Sequence, residues 1–158
     1  MKKFLLIIFS TLFLIGCNTE NIQYISFTSK PSLSYYTDKI RLLLANNKDY
    51  SIILFNKNLF RTTTLDDNQK LIIENFLDYL PNNNYKEYYD IEKKEIYQLR
   101  LTIDNQKYII KIFDYTLISV APYDGNYEED IIVMDNVPIR YNLYDYCYYI
   151  ENNYKLNQ

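Results

Sequence analysis

The sequence predicts one α+β domain, an antiparallel sheet of about four to six strands packed against helices in a β-α-β4-α layout, behind a cleaved leader. Three observations predict it. Residues 97–103 (YQLRLTI) alternate apolar and polar side chains, the period-two signature of a half-buried strand, and further β-rich runs follow at short spacing. Residues 67–80 (DNQKLIIENFLDYL) repeat apolar side chains at helical spacing. The chain begins with a short apolar block that is basic at its start.

In that block Lys2 and Lys3 precede an apolar run from Phe4 to Ile15. As a helix the run reaches about 18 Å, well short of the ~30 Å hydrocarbon core of a bilayer. It therefore reads as a secretory signal rather than a spanning helix. An ordinary signal with a chance cysteine and an uncleaved anchor are the other readings. Residues 17–34 read as a tether, in which only Ile22 to Phe27 has the character of a short strand and Pro31 interrupts. The folded domain is expected over 35–158.

Tyr36, Ile40, Leu43 and Leu44 predict a helix over 35–47, with Thr37 and Asp38 able to cap its start. Residues 50–64 read as an extended pair turning at Asn56-Lys57-Asn58. Asp66, with Gln69 three residues on, predicts a capping box for the helix over 67–80, and Ile73, Phe76, Leu77 and Leu80 form its apolar stripe. Residues 85–94 read as a polar connector. A hairpin follows, with Asp104-Asn105-Gln106 as its turn and a return strand from Tyr108 to Phe113. Residues 115–120 and 131–134 add two strands, and Asn142 begins a helix whose core side carries Leu143, Tyr146, Cys147, Ile150 and Tyr154.

Composition narrows the function classes. The formal charge is −3, and it becomes more negative once Lys2 and Lys3 are removed. Without a basic stripe the chain is a poor nucleic-acid binder. The absence of histidine excludes Ser-His-Asp and Cys-His catalysis and imidazole zinc sites. Of two glycines only Gly125 follows the leader, so no glycine-rich phosphate loop exists. Cys147 has no partner cysteine beyond the leader and reads as a buried thiol. The 19 tyrosines fit an A- and T-rich coding bias first, and an aromatic display for sugars or partners second.

Few residues invite chemistry. The segment YDGNYEED (123–130) gathers four acids around Gly125, and alternating oxygens at Asp124, Asn126 and Glu128 suggest a weak metal or solute site at 124–130. Gly125 and Asp135 fall out of register with an EF-hand loop, so no metal ligand is assigned. Asp114, Asp124 and Glu128 are the acids available to a glycosidase-like hydrolase. Tyr144, Tyr148 and Tyr149 lie off the core side of the last helix. With Asp124 and Glu128 they form the expected binding surface.

Three resemblances add to this reading. Leu14-Ile15-Gly16-Cys17 resembles the lipobox of bacterial lipoproteins, in which the cysteine thiol receives a diacylglyceryl group and the signal peptidase cuts before it. The resemblance implies lipidation at Cys17, recognition through Leu14 and Gly16, and a chain held at the extracytoplasmic face of the cell membrane. NFLDYL and RYNLYDYCYYI resemble small clostridial lipoproteins grouped as a domain of unknown function, which implies no residue roles. The β-α-β4-α layout is similar to the half-repeat of TATA-binding-protein-like folds, in layout alone. The expected role is a non-enzymatic module, without a cofactor, for an envelope protein, peptide or wall component. A carboxylate-based hydrolase and a binder at 124–130 are the alternatives.

Overall fold

The computed structural model describes residues 30–46 and 49–156. The leader, Leu14, Gly16, Cys17 and the short strand expected at Ile22–Phe27 lie outside the described residues. Among the described residues three α-helices, α1 (Tyr35–Asn46), α2 (Asp67–Tyr79) and α3 (Leu143–Leu156), accompany seven strands. These are β1 (Tyr50–Asn56), β2 (Arg61–Thr64), β3 (Tyr85–Lys86), β4 (Tyr97–Ile103), β5 (Gln106–Ile112), β6 (Leu117–Pro122) and β7 (Asp130–Val133). They form one sheet in the order β2-β1-β4-β5-β6-β7-β3, antiparallel throughout.

The expected α+β domain is present, with more strands than the four to six the sequence suggested. The additional one is β3, where Tyr85 pairs with Ile132 and Lys86 with Ile131. A two-residue strand carries no periodicity, and this one is positioned from outside itself. Asn84 Nδ2 donates to the Val133 carbonyl at 2.6 Å, docking the preceding turn against β7.

Local chemistry sets the helices. Asp66 accepts from the Gln69 amide at 2.9 Å while Gln69 Oε1 accepts from the Asp66 amide at 2.9 Å, the reciprocal cap expected for α2. Arg41 on α1 closes the other end of α2, its Nε donating to the Leu77 carbonyl at 2.8 Å and its Nη2 to the Leu80 carbonyl at 3.1 Å. Asn142 caps α3 through its side-chain oxygen, 3.0 Å from the Tyr144 amide. Thr37 departs from expectation. It sits inside the first turn of α1, fully buried, and does not cap it.

Alternation fixes which face the helices cover. Tyr97, Leu99, Leu101 and Ile103 of β4 point to one side, in register with Ile52 and Leu54 of β1 and with Tyr108, Ile110 and Ile112 of β5. That side joins Ile40 of α1, Ile73, Phe76 and Leu77 of α2, and Leu143, Cys147 and Ile150 of α3 in one core. On the opposite face Phe113, Leu117 and Ile131 pack beneath Ile91 of the connector, and Ile109, Ser119 and Ala121 are buried as well. Over β1 and β4 that face is partly exposed. There the Arg100 guanidinium sits 4.4 Å from the Phe55 ring and 5.5 Å from the Tyr123 ring.

The two-residue turn Asp104-Asn105 is tighter than the three-residue turn read from the sequence, since Ile103 pairs directly with Gln106. Asp104 takes a φ of 53°, a left-handed conformation that aspartate tolerates. Phe76 is fully buried at the centre of the α2 stripe, and its truncation leaves a cavity. Phe76→Ala should cost about 3–5 kcal/mol in urea unfolding, whereas Asp66→Ala should cost about 1 kcal/mol by removing a cap. Equal costs would contradict this account of the core.

Candidate functional site

A concavity among the described residues lies where the first turn of α1 meets the β4–β5 turn and the 123–129 loop. It is a groove of about 600 Å³, lined by Tyr35, Tyr36, Tyr108 and Tyr127 with Asp124 and Pro122. Lys39 and the Asn105-Gln106-Lys107 stretch complete its rim. Tyr35 and Tyr36 meet edge to face at 5.1 Å, and Tyr36 and Tyr127 at 6.0 Å.

Each ring is placed by a specific device. Tyr35 and Tyr36 precede Thr37, whose amide and hydroxyl donate to Asp130 Oδ2 at 2.8 and 3.0 Å. Lys30 approaches the same carboxylate at 3.3 Å and donates to the Glu129 carbonyl at 2.6 Å. Tyr127 folds back over Gly125, which has a φ of 110°. A β-carbon there would meet the Tyr127 ring at 2.8 Å, so glycine serves both the turn and the ring's position. On the far wall Tyr108 donates from its hydroxyl to Gln106 Oε1 at 3.0 Å.

The electrostatics keep the groove a hydrogen-bonding surface. Burial, reinforced by the Asp130 carboxylate and the neighbouring Tyr127 and Tyr35, pushes the Tyr36 hydroxyl above its ordinary value. It stays a donor at neutral pH. Burial also raises the Asp130 carboxyl, against the opposing pull of Thr37 and Lys30.

The acids of the 123–130 segment diverge. Asp124 lines the groove, Glu128 is exposed, and Asp130 is drawn beneath α1. Glu129 turns to the open face of the sheet, where it pairs with Lys111 and accepts from Ser119 Oγ. Adjacent strand residues point to opposite faces, so alternation pulls these oxygens apart. Among the described residues no three His, Cys, Asp or Glu side chains gather as a metal centre. Asp114 is separate again. It lies in another hollow of about 360 Å³ with Asp90 and Glu92, held by Lys93 Nζ at 2.7 Å and accepting from the Thr116 amide at 2.8 Å. The three acids read as a hydrolase set therefore do not share one pocket.

The tyrosines read from the last helix are also divided. Tyr148 and Tyr149 are 57% and 62% exposed. Tyr144 instead packs against the core, its ring edge-on to Tyr97 at 5.9 Å. Beneath them Glu151 is buried, accepting from Asn56 Nδ2 at 2.7 Å and from the Tyr97 hydroxyl at 3.1 Å. The side chain of Tyr154 lies outside the described residues. Of the residues marked as a binding surface, Asp124 alone lines the groove. Tyr35, Tyr108 and Tyr127 carry no local mark of their own for this position, and Tyr36 packs against the core as its place in the α1 stripe predicts while also lining the groove. The available signal was Gly125, two residues before Tyr127.

A family model described as a domain of unknown function (DUF4883) matches residues 30–147. Among solved structures, a crystal structure of a "Putative Lipoprotein from Clostridium perfringens" resembles the chain with a TM-score of 0.71 at 26% identity. The likeness covers 78% of this chain and 99% of that one. No curated protein matches the chain.

Two outcomes follow from the titrating groups. Burial acts to raise the Asp114 carboxyl, but Lys93 and the Thr116 amide and hydroxyl outweigh it and hold it below its ordinary value. A depressed carboxylate stabilises the fold above its unfolded pKa, and this contribution is lost as pH falls through its folded pKa, in a window below about pH 4. Asp114→Asn should lose part of the acid-limb slope in urea midpoints measured from pH 6 to pH 2. An unchanged slope would refute this role. Burial, with Glu151 adding to it, pushes the Cys147 thiol far above its ordinary value. In a Cys17→Ser background, Ellman's reagent at pH 8 should leave native protein unlabelled and modify it fully in urea. Rapid native labelling would contradict the packing.

Proposed function

The chain belongs to the DUF4883 family, and from that premise we propose that it is a lipid-anchored envelope lipoprotein whose domain binds an envelope component without chemical turnover. The observation that carries the binding role is the tyrosine groove, formed where the chain enters the domain. Its rings are fixed by buried contacts, and its rim presents ammonium, amide and carboxylate groups to solvent. Such a lining suits recognition.

The address rests on Leu14-Ile15-Gly16-Cys17, supported by the likeness to a clostridial protein described as a lipoprotein. No helix among the described residues is long and apolar enough to cross a membrane. In this reading the peptidase recognises Leu14 and Gly16, cleavage exposes Cys17, and two acyl chains hold the protein at the extracytoplasmic face. Burial at ~0.8 kcal/mol per CH₂ makes a two-chain anchor effectively permanent.

Metabolic labelling with an alkyne fatty acid tests the anchor. Wild-type protein should be labelled, processed and membrane-bound, while Cys17→Ser should stay unlabelled and at precursor length. Normal processing and labelling of Cys17→Ser would end this reading.

A further inference from the structure

We propose that the groove takes an anionic saccharide, with tyrosine rings against the C–H faces of its pyranose units and the ammonium groups of Lys39 and Lys107 on its acidic groups. The inference rests on the binding reading above and adds the ligand class. Tyrosine rings offer flat apolar faces with hydroxyl tips, which match a sugar's apolar C–H face rimmed by hydroxyls. The groove's mixed lining agrees with this. Asn105 and Gln106 bring amide groups to the same rim, and the raised Tyr36 hydroxyl remains a donor.

Charge selects among sugars. The cations in ion pairs among the described residues are Lys30, Arg41, Lys57, Lys70, Lys93 and Lys111. Lys39 and Lys107 are not among them, and both are exposed at the rim. Against them the groove lining sets one carboxylate, Asp124. The lining thus carries two ammonium groups to one carboxylate, while Asp130 and Glu128 act on Tyr36 from outside it. Two rim ammonium groups without an ion-pair partner among the described residues favour an anionic ligand over a cationic one. Position adds to this. The thirteen steps from Cys17 to Lys30 can span at most about 45 Å, so an anchored chain would hold the groove within that distance of the membrane surface. A membrane-proximal anionic glycan is within reach.

Calorimetry on the full-length acylated protein in detergent tests this with three probes of equal length: a galacturonate tetramer, a phosphorylated mannose tetramer and a neutral galactose tetramer. At least one acidic probe should bind tenfold or more tighter than the neutral one, and more weakly as salt rises. Which acidic probe binds distinguishes a carboxylate from a phosphate ligand. The double variant Lys39→Gln/Lys107→Gln should lose at least tenfold for the acidic probe and little for the neutral one. Tyr127→Ala, at a residue 40% exposed, should weaken both. Equal binding of acidic and neutral probes, or wild-type affinity in the double variant, would overturn the proposal. If no saccharide binds while Tyr127→Ala still abolishes capture of an envelope protein, the saccharide is wrong and the binding groove survives. If Tyr127→Ala changes neither, both fall.

Discussion

One buried carboxylate organises the end of the molecule where the groove lies. Asp130 is wholly buried at the start of β7, and its oxygens take the Thr37 amide, the Thr37 hydroxyl and the Lys30 ammonium. The first amides of a helix have no partner within it, so Asp130 acts as a cap supplied from another element. Removing water from a carboxylate costs several kcal/mol unless its acceptor sites are filled, and here three donors fill them. The contact joins the incoming chain, α1 and β7 at one point. Tyr35 and Tyr36 lie just before Thr37, and Tyr127 three residues before Asp130. The groove's rings are therefore positioned by a contact that lies beneath them.

The sheet supplies the other constraint. With every neighbour antiparallel, each strand sends alternate residues to the two faces, and the helices cover one face only. The covered face is almost wholly apolar. The open face is finished by polar stacks, with Arg100 between Phe55 and Tyr123 and oriented by Gln98 Oε1 at 3.1 and 2.9 Å from its Nε and Nη2. A long cationic side chain lying over aromatic rings shields apolar area while keeping its charge near water. The groove opens at the margin of the covered face, where α1 begins beside the 123–129 loop.

What the sequence made legible was local. The capping box of α2, the alternation of β4 and the start of α3 at Asn142 each depend on residues within a few positions of one another, and each is present. What it concealed was non-local. Tyr85 joins the sheet because Ile132, far along the chain, offers an edge. Thr37 resembles a helix cap in sequence, yet its partner is 93 residues away. Lys30 lay within the expected tether, but its ammonium is bound to residues 129 and 130, so the packed unit reaches ahead of the Tyr35 boundary. The groove escaped for the same reason. Its tyrosines come from three separated segments, and in a chain with 19 of them nothing local marks four as neighbours.

The distribution of acids bears on what such a surface can do. The buried carboxylates, Asp130 and Glu151, are occupied by hydrogen bonds that hold elements together. Freeing either for proton transfer would leave buried donors unpaired, at about 1–3 kcal/mol each. The groups facing the groove are tyrosine hydroxyls, ammonium ions, amides and the Asp124 carboxylate. Burial, with the Asp130 carboxylate adding to it, raises the Tyr36 hydroxyl above its ordinary value. The carboxylate beneath the ring therefore adds to the shift that burial begins. A change at Asp130 would therefore disturb the Thr37 and Lys30 contacts beneath the groove and the placing of its rings together.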